Sequence, residues 1–137
     1  MKKAFEFLKK NKDVAFATVE DNKPKIRVFQ IMKLEDDNLY FATASHKEVY
    51  HQLKLNPNVE ILAMSGNISV RISGEIIFNI TDNVAKDIYL NNKVLQRLYK
   101  TYKDLVYFKL PIDKLDYYDL SFTPPIFEHY ENKKQIR

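Results

Sequence analysis

The residues best suited to chemistry in this sequence are cations and hydroxyls spaced to hold an anion. Thr43, Ser45 and Lys47 fall at alternate positions in residues 39–54, LYFATASHKEVYHQLK, where an alternating apolar strand runs straight into a helix-forming segment. Glu48 stands three residues after Ser45, so the S-x-x-E spacing predicts a helix capped by Ser45, with Val49 and Leu53 following at helical spacing. First-turn amides, hydroxyls, an ammonium group and the positive end of a helix dipole together suit a phosphate. The same pattern also fits an ordinary strand-to-helix corner with a surface lysine, because capping boxes mark helix starts of every kind.

A second cation, Arg27, lies in residues 25–34, KIRVFQIMKL. Alternation places Arg27, Phe29 and Ile31 on one face and Val28, Gln30 and Met32 on the other. A strand that is apolar on both faces is expected at the centre of a sheet, with Arg27 or Gln30 partly buried. A buried guanidinium needs an anionic partner, which a ligand or a glutamate on a neighbouring strand can supply.

Other chemistries are poorly served. His46 and His51 are five positions apart, about 140° around a helix, and cannot share an ion, while His129 lies near the C-terminus, so no metal site is expected. The absence of cysteine excludes disulfides, thiolate zinc sites, cysteine nucleophiles and cysteine-ligated iron–sulfur clusters. There is no G-x-G-x-x-G, no Walker sequence and no nucleophile elbow. The acidic turn at residues 35–38 lacks the glycine and later glutamate of a calcium loop.

The elements that must position these residues follow from periodicity and punctuation. A short amphipathic helix is predicted over residues 2–10 and strands over 14–20 and 25–34, separated by Asp21-Asn22-Lys23, with Pro24 at a strand start where a missing donor does least harm. After the strand and helix of residues 39–54, Asn56-Pro57-Asn58 breaks the chain. Strands at 59–65 and 68–80 then close a hairpin around Gly66-Asn67. Gly74, inside the second of these, marks a bulge, a bend or a close backbone approach. Thr81 or Asp82 caps a helix that ends at Asn91-Asn92, and Leu95, Leu98 and Tyr99 continue a second helical piece. Strands over 105–110 and 117–122 complete the pattern, the last ended by Pro124-Pro125.

This reading gives a mainly β protein, a barrel of six to seven antiparallel strands with flanking helices that manages its edges by closing. Residues 1–125 form a single domain, and residues 126–137 are a charged tail that orders only if Phe127 and Tyr130 dock. A length of 137 residues with 45% hydrophobic content suffices for one core. The net charge of +4 permits nucleic acid or an anionic ligand without requiring either. No apolar run reaches the length of a membrane span and MKKAFEFLKK is not a signal peptide, so a cytoplasmic protein without a membrane partner is expected.

Taken together, the amino-terminal helix, VAFATVE, KPKIRVFQIMKL, LYFATASHKEVYHQLKLNPNVEI and SVRISGEI resemble the pyridoxamine 5'-phosphate oxidase-like FMN-binding split-barrel family, and more closely its small nitroimidazole-resistance-like branch. T-x-S-x-K followed by a helix and N-P, together with the arginine strand, carries the resemblance, which covers residues 2–80 well and the rest by element order. It implies FMN as cofactor, with Arg27 and Lys47 gripping the phosphate and Thr43 and Ser45 donating further hydrogen bonds. Val28, Gln30 and Met32 would lie along the ring or ribityl chain. Ser69, in Ile68-Ser69-Val70, stands where the oxidases have a glutamine. The tail shows no match to the oxidases' carboxy-terminal tryptophan and arginine segment, so oxidation of pyridoxamine phosphate itself is not implied.

The resemblance further implies a homodimer with FMN between the subunits and a small-molecule substrate. The expected function is an FMN-dependent oxidoreductase acting on a small organic acceptor, with a nitro compound among the candidates. A non-catalytic flavin- or haem-binding or sensing protein of the same fold is the alternative. A basic barrel binding single-stranded nucleic acid ranks last, because the aromatics fall at core positions.

Overall fold

The structure, a computed structural model, describes residues 1–132. In chain order it consists of α1 (Lys2–Lys10), β1 (Asp13–Glu20), β2 (Lys23–Gln30), β3 (Lys33–Glu35), β4 (Asn38–Thr43), α2 (Glu48–Leu55), β5 (Asn58–Ser65), β6 (Ile68–Glu75), α3 (Asp82–Leu90), α4 (Lys93–Leu98), a 3-10 turn (Tyr102–Asp104), β7 (Val106–Pro111), β8 (Lys114–Asp119) and β9 (Ile126–Glu131). Six strands form one antiparallel sheet in the order β2-β1-β5-β6-β8-β9, and three form a smaller one, β3-β4-β7. Among the described residues no helix is long and apolar enough to cross a membrane.

Local sequence explains most of these elements. Asp21 and Asn22 between β1 and β2, and Asp36 and Asp37 between β3 and β4, all take positive φ, as does Gly66 between β5 and β6. Two successive positive-φ residues match the right-handed twist of flanking strands, and Asp and Asn tolerate that conformation. The acidic run at residues 35–38 is therefore a hairpin turn. In β1 and β5 the alternation is direct, with Val14, Phe16, Thr18, Val59, Ile61 and Ala63 buried.

Several links close the two sheets on one another, among them the direct passage from β7 into β8 through Ile112 and Asp113. On one side the chain passes from β2 into β3 through Ile31 and Met32, whose amides donate to Lys12 O and Tyr40 O, both at 2.8 Å. On the other, Ile77 and Lys109 exchange backbone bonds in an isolated bridge. Inside, Phe16 and Phe29 of the larger sheet meet Phe41 and Phe108 of the smaller, with ring centroids 4.8–6.1 Å apart and most pairs edge-on. A second cluster, Tyr40, Ala42, Ile88, Leu95, Leu105 and Tyr107, lies under α3 and α4, so β4 is buried on both faces.

The class matches the expectation, while several boundaries differ. Residues 25–34 are not one strand, because the step between sheets divides them at Ile31–Met32 into β2 and β3. β2 is also an outer strand of its sheet rather than a central one. Its apolar residues do point both ways, yet only the inner face is covered within one chain, and Ile26 and Val28 are 72% and 70% exposed. Ladder pairing of β6 stops at Glu75 instead of reaching residue 80. At Gly74 the reason is a close approach, since a Cβ there would meet Pro111 O at 2.7 Å. The final strand of the central pattern runs over Lys114–Asp119, not 117–122. Residues Ile126–Glu131, within the segment read as a tail, pair with β8 as β9. There Tyr130 packs on the core and Phe127 meets Tyr118 with centroids 5.9 Å apart.

Candidate functional site

Arg27 is the hub of a largely enclosed polar cluster. It lies opposite Phe16 in the β1–β2 register and projects to the inner side of the sheet, where α2 packs across β1. Its Nη1 donates to Phe16 O at 3.0 Å and to Thr18 Oγ1 at 2.8 Å, and its Nη2 donates to Gln52 Oε1 at 2.7 Å. Thr18 hydroxyl donates in turn to the same Gln52 Oε1 at 2.6 Å, and Gln52 Nε2 donates to Glu20 Oε1 at 3.3 Å. Each group has one consistent role. Arginine only donates and carboxylate only accepts, so the glutamine amide must turn its oxygen to Arg27 and its nitrogen to Glu20. Thr18 and Gln52 are 1% and 2% exposed, so these orientations are enclosed by packing.

All three acceptors on Arg27 are neutral, and among the described residues it forms no ion pair within 4.0 Å. A partnering glutamate, the alternative offered by the sequence, is therefore absent from direct contact. Burial draws the Arg27 pKa below its usual value, and the Glu48 carboxylate nearby acts in the opposite sense. The guanidinium still carries its charge. With both Nη1 donors and one Nη2 donor engaged, Nε–H and the second Nη2–H remain. Those two lie side by side and form the edge that grips two oxygens of one carboxylate or phosphate.

The turn from β4 into α2 carries the other predicted residues. Ser45 does not cap the helix. Lys47 occupies the N-cap position with extended backbone, φ −83° and ψ 146°, and no side chain caps it. A turn closed by Lys47 N donating to Ala44 O at 3.1 Å intervenes, which moves the helix start two residues beyond the S-x-x-E reading. Ser45, His46, Lys47 and Glu48 are all exposed. Thr43, by contrast, is 3% exposed, and its enclosed Oγ1 has no hydrogen-bond partner among the described residues. By alternation it shares the face of β4 that carries Phe41, which packs on Phe16 and Phe29. Gln52 and Lys47 belong to the same helix, so α2 brings the Arg27 cluster and the turn into one neighbourhood, although no bond joins Arg27 to Lys47.

The remaining predicted residues lie elsewhere. Val28 is on the outer face of the sheet, and Gln30, partly buried, is on the same side by alternation. Ser69 is also on the outer face, in the cross-strand row Met64, Ser69, Tyr118, Phe127. It sits on the fourth strand counted from β2, roughly 14 Å away at about 4.8 Å per strand. Met32 departs from its predicted face. The step between sheets breaks the alternation, so Met32 packs against the cluster under α3 and α4, and Asn92 Nδ2 donates to its carbonyl at 3.1 Å.

A cleft of about 590 Å³ lies where β1 ends, β5 begins and β7 turns into β8, and it shares only Thr18 with the Arg27 cluster. A smaller one of about 280 Å³ on the outer face is bordered by Leu62, Ser69, Arg71, Asp116, Tyr118 and Phe127. Sequence reading missed Thr18 and Gln52. A signal for both was present: Thr18 continues the inward series Val14, Phe16, and Gln52 sits at core spacing from Val49 beside Leu53.

Residues 1–116 match the family model described as pyridoxamine 5'-phosphate oxidase. Comparison with curated proteins finds no match. Among solved structures, a NimC/NimA family protein from Clostridium acetobutylicum is 24% identical with a TM-score of 0.75, over 95% of this chain and 92% of that one. A pyridoxamine 5'-phosphate oxidase-related, FMN-binding protein from Nostoc punctiforme is 16% identical with a TM-score of 0.78, over 96% and 90%. A haem-binding protein from Mycobacterium smegmatis is 14% identical with a TM-score of 0.70, over 91% of this chain and 55% of the other.

Proposed function

The chain belongs to the pyridoxamine 5'-phosphate oxidase-like family of FMN-binding split barrels, and from that premise we propose that it binds FMN non-covalently as a homodimer and serves as an oxidoreductase for a small organic acceptor. The observation that carries this reading is the Arg27 guanidinium, partly buried, bonded only to neutral acceptors and left with one two-donor edge. A dianionic phosphate is the complement of such an edge. Lys47 supplies a second, exposed charge from the N-cap of α2, Ser45 an exposed hydroxyl on the same turn, and Thr43 a hydroxyl that lacks a partner among the described residues.

The isoalloxazine of bound FMN would supply the redox chemistry. The protein's part is to hold and orient. Arg27 and Lys47 fix the phosphate end, while Val28 and Gln30 offer the outer side of an edge strand to the ring or ribityl chain. Ser69, on the outer face of β6, does not border the Arg27 cluster within one chain, so its contact with the same flavin would require a site completed across a twofold axis. The exposed apolar face of the larger sheet, with Ile26, Val28 and Met64 each about 70% exposed, suits such a partner. A second reading, flavin or haem held without turnover, draws on the similarity to a haem-binding protein. The absorption spectrum of the purified protein, and reoxidation of the reduced protein by an added acceptor, distinguish the two.

The test is a comparison of FMN with riboflavin, which lacks the phosphate. Charge-assisted hydrogen bonds contribute about 1.5–3 kcal/mol each. The Arg27→Ala, Lys47→Ala double variant should therefore bind FMN at least about 100-fold more weakly by fluorescence titration, with riboflavin affinity unchanged. Full FMN affinity in that variant would place the phosphate elsewhere.

A further inference from the structure

Gln52 and Thr18 do not fall on any motif, yet they determine what Arg27 can do. α2 presents two side chains one turn apart that Arg27 could take as partners, Glu48 and Gln52. The guanidinium is bonded to Gln52 and makes no ion pair with Glu48. A bidentate pair with Glu48 would use the same donors that a phosphate needs and would cancel the charge. Gln52 gives Arg27 a neutral acceptor instead. It is oriented for that task at both ends, since Glu20 takes its Nε2 and the Thr18 hydroxyl converges on its Oε1. Thr18 closes the triangle by accepting from Arg27 while donating to Gln52. Both side chains are enclosed, so neither leaves its place without opening the contact between α2 and β1.

We propose that Thr18 and Gln52 are positioning residues that hold the Arg27 guanidinium away from Glu48 with its Nε–H and one Nη2–H turned to an incoming phosphate. The proposal rests on the reading of Arg27 as the phosphate ligand. It gives the polar face of α2 a second role besides packing: the helix that carries Lys47 also sets the angle of the arginine.

The experiment uses the full-length protein, freed of bound flavin and titrated with FMN and with riboflavin in parallel. Gln52→Leu and Thr18→Val remove the acceptors with little change of shape, and Thr18→Ser keeps the hydroxyl. Gln52→Leu and Thr18→Val are expected to weaken FMN about tenfold or more, with riboflavin affinity held within about twofold and Thr18→Ser near the parent value. In an Arg27→Ala background, Gln52→Leu should add no further loss, because its effect passes through Arg27. Equal weakening of FMN and riboflavin would show a merely structural role and overturn the proposal. So would unchanged FMN affinity in Gln52→Leu when Arg27→Ala alone weakens it. Unchanged FMN affinity in Arg27→Ala would instead overturn the phosphate assignment and the proposal with it.

Discussion

At the scale of single residues, the site is defined by polar groups whose bonding is complete on one side and open on the other. Thr43 is the extreme case, since an enclosed hydroxyl without a partner costs about 1–3 kcal/mol. Thr43→Val should therefore raise the melting temperature of the flavin-free protein by about 3 °C or more. If the hydroxyl meets the phosphate, the same change should weaken FMN about three- to tenfold. Calorimetry and fluorescence titration on one preparation check both halves, and an unshifted melting temperature would mean that the hydroxyl is satisfied after all. Arg27 and Lys47 were legible in the sequence because cations at a strand and at a helix start stand out by type. Thr18 and Gln52 were not, because a polar residue at a core position is conspicuous only once the pattern around it is weighed as burial. Their chemistry is also relational: neither means anything until α2 is seen to lie across β1.

At the scale of elements, hairpins and alternating strands could be read from the sequence, and the relation of strands to their neighbours could not. β1, β4, β5 and the turn at Gly66 follow from local pattern. The position of β2 at the rim was hidden because an edge strand with an uncovered apolar face has the same composition as a central one. The start of α2 was misplaced because the S-x-x-E spacing cannot distinguish a cap from a turn that precedes one. β9 is held to β8 by more than its ladder. His129 Nδ1 lies 2.5 Å from Asp116 Oδ1 and its Nε2 lies 3.2 Å from Glu131, while Arg71 Nη2 donates to Asp116 at 3.0 Å. Asp116 chiefly, and Glu131 after it, raise the His129 pKa above 6.5, and His129 followed by Arg71 lowers that of Asp116 below 3.8. The histidine's contribution is whole below about pH 6.5 and fades as pH rises through its raised pKa. The carboxylate's is whole above about pH 4 and fades as pH falls through its lowered one. Pairing of β9 should be firmest between those limits. In Asp116→Asn, NMR titration of the His129 ring should show a pKa closer to the ordinary value, and an unchanged midpoint would mean the contact does not persist in solution.

At the scale of the whole molecule, the exposed apolar face of the larger sheet is the feature a single chain leaves unfinished. Met64→Lys, on the inner-lying strand β5, places a charge within that face. Sedimentation velocity should find the parent protein as a dimer with flavin bound and the variant shifted to the monomer, and a monomeric parent with flavin bound would refute the assembly. The bridge between Ile77 and Lys109 bears on closure of the barrel rather than assembly. Only two backbone bonds join the sheets there, and on the other side they share a continuous chain at Ile31–Met32. What holds the smaller sheet down is the contact of Phe41 and Phe108 with Phe16 and Phe29. The chain also passes from β7 into β8 through Ile112 and Asp113, so the sheets are tied on both sides of the barrel, and the part of their closure that is hydrophobic is the part that slackens on cooling.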